Sequence, residues 1–225
     1  MVNVNKFYTN KILVEILDLW SWMPGILFST SHIIQIERVL KSNIVKDVDI
    51  YTFLLFFIGN LSAYIFSEKY YHFKTILAYI FPAILEIFII GLVKKKEGDK
   101  YFYIVTLCTS LLIFCFILVS LLKKSVHKYA SIAGTITALS VPVATMFQLL
   151  KIISNKNAQG VSANAWWLIF IGNIGNYILV GKYRNWKNII AFLGSAVLDL
   201  IIIYLTYYYH SIDGKIHKNK HWSII

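Results

Sequence analysis

Apolar runs of about twenty residues, separated by short charged joins, set the pattern of this chain. A helix needs about 20 mostly apolar residues to cross a bilayer core. Seven segments supply them: roughly 14–36, 48–67, 74–93, 101–122, 129–153, 161–181 and 187–209. Charge collects between them, as in Lys94-Lys95-Lys96-Glu97-Gly98-Asp99-Lys100 and Lys123-Lys124. That clustering is expected where a charge at the bilayer centre costs a few kcal/mol. From His210 onward the chain is polar and basic, and it reads as a frayed tail.

The stretch from Gln35 to Ile90 recurs without a gap at Gln148 to Ile203, an offset of 148 − 35 = 113 residues. About a third of the paired positions are identical. Phe57-Ile58-Gly59-Asn60 aligns with Phe170-Ile171-Gly172-Asn173, Tyr64 with Tyr177, and the intramembrane acid Glu86 with Asp199. The offset maps the first three segments onto the last three and leaves 101–122 without a counterpart. A three-helix unit begins on one side of a membrane and ends on the other, so one extra span restores the direction of the second copy. The expected fold is therefore an all-α integral membrane protein of seven transmembrane helices. Two parallel three-helix repeats, joined by a linker helix, make a 3+1+3 layout. The bundles fall at 1–93 and 126–210, with the linker at 94–125 and a basic tail at 211–225.

Composition agrees. The chain has 225 residues, of which 58% are hydrophobic and 15% charged, against roughly 25% charged in a soluble domain. The net charge of +11 does not point to nucleic acid, because the basic residues lie in short loops where they anchor helices to anionic headgroups. No zinc spacing or phosphate-binding glycine loop accompanies them. Cys108 and Cys115 share one apolar segment and read as buried small residues. Glu15 and Asp18 interrupt what would be the core of a cleavable signal peptide. With no nucleophile–base constellation and no metal motif, neither an enzyme, a metal nor a cofactor is expected.

The second repeat runs Phe147-Gln148-Leu149-Leu150-Lys151, then Lys156-Asn157-Ala158-Gln159-Gly160-Val161-Ser162, then Trp166-Trp167. This resembles the PQ-loop and SWEET (MtN3/saliva) transporter families. Their repeats carry a Pro-Gln pair near the end of the first helix, a basic loop ending in Gly-Ile/Val-Ser, and a Trp-bearing second helix. The proline of the pair is absent here: Ile34 precedes Gln35 and Phe147 precedes Gln148. Pro24 and Pro142 lie elsewhere on the first and fifth segments, and the resemblance makes them candidate bending points of a gate. It places the family's tryptophan position at Tyr64 and Tyr177, and its third-helix asparagine position near Tyr79 and Phe192. It implies bidirectional sugar movement by alternating access, with a small-molecule substrate, the lipid bilayer, and at most a second copy of the chain as partners. Proton-coupled export of an amino acid through Glu86 or Asp199, and a receptor like the KDEL receptor, are the alternatives.

Asn60 and Tyr64 are four apart and share a helix face, as do Asn173 and Tyr177, with Asn176 alongside. Amides and phenols suit polar uncharged ligands, so these residues are the candidate substrate site. Interhelical hydrogen bonding is the plain alternative. Glu86 and Asp199 lie about 12 residues into their segments. A carboxylate at that depth must be paired, hydrated or protonated, which suggests proton or substrate handling. Pro82, four before Glu86, leaves the carbonyl of Ala78 without its helical donor. Gln35 and Gln148 read as helix-end hydrogen bonds or gate contacts, and His32 as a lone interior histidine. The Lys and Arg residues divide 10 to 12 between the two sides, from a total of 22. The small excess favours an N-terminus outside and a C-terminus in the cytoplasm.

Overall fold

A computed structural model of the protein describes residues 22–67, 76–99, 130–179 and 189–222. The 101–122 segment, with Cys108 and Cys115, lies outside the described residues. Among those described, the fold is all-α with no strand. Helix α1 is Met23–Lys41 and α2 is Ile50–Ser67. Helix α3, Phe81–Lys96, is entered through a π-helical turn at Ile76–Ile80. Then come α4, Ala130–Asn155, and α5, Ala163–Leu179. Helix α6, Ser195–Trp222, is entered through a second π-helical turn at Ile189–Gly194.

Two stretches, Ile132–Asn155 and Ile189–Ile212, are long and apolar enough to cross a membrane, and Ile50–Ile65 is a shorter apolar helix. The outer row of α4 is apolar and exposed: Ile132, Ile136, Leu139, Val143, Phe147, Leu150 and Ile153. These positions recur every three or four residues, so they form one stripe turned away from the core.

The π turns sit at matching places, since 76 + 113 = 189. Each has a local cause. Pro82 has no N–H to offer the carbonyl four residues back. At the matching position Ser195 donates its hydroxyl to the Ala191 carbonyl at 2.6 Å. Insertions of this kind in the i→i+4 ladder often mark functional segments.

The halves are joined by reciprocal contacts. Helix α1 packs mainly on α5 and α3, and α2 on α4 and α3. Gln35 donates from Nε2 to the Gly160 carbonyl at 2.8 Å and accepts the Ser162 N–H at 3.0 Å. Gln148 donates to the Asp47 carbonyl at 2.8 Å and accepts the Asp49 N–H at 3.0 Å. Every atom in the second set lies 113 residues from its equivalent in the first. The turns themselves match: Val48 N–H to Val45 O at 2.9 Å, and Val161 N–H to Ala158 O at 3.0 Å. The helix caps match too. Asp49 accepts the Thr52 N–H at 2.7 Å, and Ser162 accepts the Ala165 N–H at 3.3 Å, each satisfying an otherwise unpaired donor of a first helical turn. The C-terminal ends of α1 and α4 therefore meet the N-terminal ends of α2 and α5 at one face, here called the loop face. Helices α1 and α4 run in the same direction.

The main core lies beneath this face, built from residues such as Val39, Val48, Phe53, Ile89, Ile152, Trp166 and Ile202. Lys96 ties α3 to the end of α1 by donating to the Leu40 carbonyl at 2.8 Å. The expectation of a frayed tail after His210 is corrected. Helix α6 runs on to Trp222, and His210 Nε2 lies 2.9 Å from the Ala158 carbonyl and 3.0 Å from Arg38 Nη2. Polarity alone does not end a helix when lysine, isoleucine and histidine are adequate helix formers and an anchor holds its start.

Candidate functional site: a cavity between the two halves

Asn60 lies ten residues into α2, and Glu86 lies ten residues before the end of α3. At 1.5 Å per residue both sit about 15 Å below the loop face, half the thickness of a typical hydrocarbon core of about 30 Å. There Asn60 Nδ2 donates to Glu86 Oε1 at 2.6 Å. In the other half Asn173 Nδ2 donates to Asp199 Oδ2 at 2.8 Å. Both carboxyls are fully buried. Each leaves one oxygen without a partner among the described residues, Glu86 Oε2 and Asp199 Oδ1.

A cavity lies at this level. Its free space is about 470 Å³, a figure that includes open solvent at the mouth. Its wall is built largely from equivalent positions: Asn60 with Asn173, Phe56 with Ile169, Ala63 with Asn176, Phe28 with Val141, and Tyr79 with Phe192. Each pair differs by 113. The two halves therefore converge on one space, and the relation between them passes through it. His32, Glu86 and Thr137 complete the lining.

Side-chain chemistry breaks the symmetry. Ala63 faces Asn176, whose buried Nδ2 has no partner. Tyr79 faces Phe192. The first half brings His32 and Glu86 to the wall, with His32 Nε2 3.1 Å from Glu86 Oε1. That approach is within ion-pair range but lacks hydrogen-bond alignment. His32 Nδ1 lies 2.6 Å from the Phe28 carbonyl. At the position equivalent to His32, Thr145 donates instead to the Val141 carbonyl at 3.1 Å.

The structure thus brings Asn60, Asn173, Asn176, Tyr79, Phe192 and Glu86 together, with Asp199 one hydrogen bond behind the wall. Two of the expected substrate residues fall elsewhere. Tyr64 is buried beside the cavity and does not line it. Tyr177 packs against a small cluster of Ala138, Ala191 and Phe192. Gln35 and Gln148 make helix-end hydrogen bonds at the loop face, outside the cavity. Pro24 is buried near the start of α1, and Pro142 lies inside α4. His32 belongs to the site although the sequence shows it alone, because its partner Glu86 is 54 residues away (86 − 32) on another helix. No group of three or more metal-ligating side chains occurs among the described residues. Scans of the chain against protein-family models, curated proteins and solved structures find no match.

Proposed function

We propose that this chain is a multi-pass membrane transporter of a small polar solute, working by alternating access between two parallel three-helix halves. The observation that carries this reading is the cavity at mid-depth, walled by residues 113 apart in sequence. Solute sites of repeat-built transporters sit at such an interface, where a rocking motion exposes the same groups to either side. Unmet polar atoms on its wall, Glu86 Oε2 and Asn176 Nδ2, supply an acceptor and a donor. A polyhydroxyl solute satisfies both, in keeping with the SWEET-like sequence pattern and the sugar-type substrate it implies.

The outward apolar stripe on α4 and the two bilayer-length helices support a membrane setting. Under this reading the 101–122 segment is the seventh span, linking the halves so that both enter the membrane the same way. The loop face carries Arg38, Lys41, Lys46, Lys94, Lys95, Lys96, Lys151 and Lys156, and this basic cluster supports a cytoplasmic loop face with the N-terminus outside. In this reading the reciprocal glutamine contacts act as the gate on that side. Transport requires them to separate.

Uptake of a panel of labelled sugars and amino acids into proteoliposomes tests the proposal. Saturable uptake of one solute, weakened at least tenfold in KM by Asn176→Ala, supports it. Absence of saturable flux for every solute, in vesicles holding folded protein, refutes it.

A further inference from the structure

The Phe28 carbonyl fixes one proton of His32. A carbonyl only accepts hydrogen bonds, and Nδ1 lies 2.6 Å from it, so Nδ1 carries hydrogen and donates. A neutral imidazole in that tautomer presents a bare lone pair at Nε2. That atom stands 3.1 Å from Glu86 Oε1, with 4% and 0% of the two side chains exposed. Oε1 already receives the Asn60 amide. A lone pair facing a carboxylate oxygen is repulsive, and a buried carboxylate with no cation costs several kcal/mol.

Among the described residues, no lysine or arginine lines the cavity to supply the missing charge. The charged residues of the packed helices, Glu37, Arg38, Lys41, Lys94, Lys95, Lys96 and Lys151, lie toward the loop face. There Arg38 is held by the Gln159 carbonyl at 2.7 Å. The remaining titratable groups on these helices near the cavity level are Tyr64 on α2, Tyr79 before α3, Tyr177 on α5 and Asp199 on α6. Asp199 is bonded to Asn173. The contact between His32 and Glu86 is therefore tolerable only with one more proton, either on Nε2 as an imidazolium–carboxylate pair or on the carboxyl as an acid facing a neutral ring.

We propose that His32 and Glu86 together form a one-proton site on the wall of the cavity, and that the first half alone carries it. The proton comes from solution and returns there, leaving neutral His32 with hydrogen on Nδ1 and anionic Glu86. The second half cannot do the same. Thr145 stands where His32 does, bonded to the equivalent carbonyl, and among the described residues the side chain bonded to Asp199 is the neutral amide of Asn173. Loss of the proton turns the α1–α3 contact repulsive inside one half, so proton occupancy and helix packing at the cavity are linked. Coupling of that proton to a solute rests on the transport reading; the proton site itself does not.

Nitrogen-15 NMR of histidine-labelled full-length protein in nanodiscs tests this, with the His32 signals assigned by subtraction of the His32→Thr spectrum. The expected result is Nδ1 carrying hydrogen at every pH measured, with a single proton leaving the pair, from Nε2 or from the Glu86 carboxyl. Total proton uptake over that titration is expected to fall by one per chain in the double variant Glu86→Gln with His32→Thr, which removes both members of the pair. A bare Nδ1 in the wild-type protein overturns the proposal without reference to any variant. Unchanged proton uptake in the folded double variant overturns it as well. No solute is present, so this failure is distinct from failure of the uptake screen.

Discussion

Gln35 and Gln148 each hold the loop of the half to which the other belongs. Each amide donates once and accepts once, to backbone groups two residues apart in the opposite loop. Both side chains are buried, at 4% and 1% exposure, so the backbone groups they serve have little access to water.

Replacing either glutamine with leucine keeps the approximate volume and strands one carbonyl and one N–H. Unsatisfied buried groups cost about 1–3 kcal/mol each. Gln35→Leu and Gln148→Leu are therefore each expected to destabilise by about 2–4 kcal/mol, with effects of similar size because the contacts are equivalent. Thermal unfolding in detergent measures this. An unchanged melting temperature in either variant would show that the loop face is held together by something else.

Glycine at 172 allows the Phe28 ring to lie against α5. A Cβ there would meet ring carbons at 2.8, 3.1 and 3.2 Å. At the equivalent Gly59 the nearest atoms are Ser140 Oγ at 2.6 Å and Val141 Cγ2 at 3.3 Å, and Val141 is the counterpart of Phe28. Gly172→Ala should push the ring into the cavity it lines and cost about 1–3 kcal/mol of overpacking. The double variant Gly172→Ala with Phe28→Val gives the first half the smaller side chain used by the second, and should recover most of that loss. Equal melting temperatures for the single and double variants would mean the ring is not the obstacle.

Much of this arrangement could be read from the chain. The 113-residue offset, and the recurrence of Asn60 and Glu86 as Asn173 and Asp199, follow from which polar residues recur inside apolar segments; the bonds that join each amide to its acid do not. The tyrosines show the limit of that reading. At about 100° per residue, Phe56, Asn60 and Ala63 fall within about 60° of one another on α2, and Tyr64 falls about 40° to the other side of Asn60. Spacing of four places Asn60 and Tyr64 on one stripe, but only the neighbouring helices decide which edge of the stripe faces the cavity. His32 was illegible for a different reason: its partner lies on another helix, and local spacing carries no trace of it. The π turns were only half legible, since Pro82 announces a broken ladder and Ser195 does not. The continuation of α6 past His210 depends on a carbonyl in the loop before α5.

Asn176 offers a donor that no acceptor among the described residues meets. Its removal should cost little stability, because Asn176→Ala deletes an unsatisfied buried group rather than a hydrogen bond. The same change should raise KM for the transported solute at least tenfold, about 1.4 kcal/mol. Concurrent melting and uptake measurements separate the two effects. A large drop in melting temperature would mark Asn176 as a structural amide.

Asp199 and Asn173 separate the cost of a buried acid from the value of its partner. Asp199→Asn preserves shape, removes the ionisable group and leaves a carbonyl to accept the Asn173 amide, so the bond seen at 2.8 Å persists. Stability should change by less than about 1 kcal/mol, in line with replacing a charge-capable group by a neutral one that keeps its hydrogen bond. Asn173→Leu leaves a fully buried carboxyl with neither oxygen served. The expected loss is about 3–5 kcal/mol, the usual consequence of removing one member of a buried polar pair, and the double variant Asn173→Leu with Asp199→Leu should recover part of it. Melting temperatures of the three variants in one detergent decide the matter. If Asn173→Leu is as stable as the wild type, Asp199 is reached by water or by another donor, and the amide serves the cavity rather than the acid.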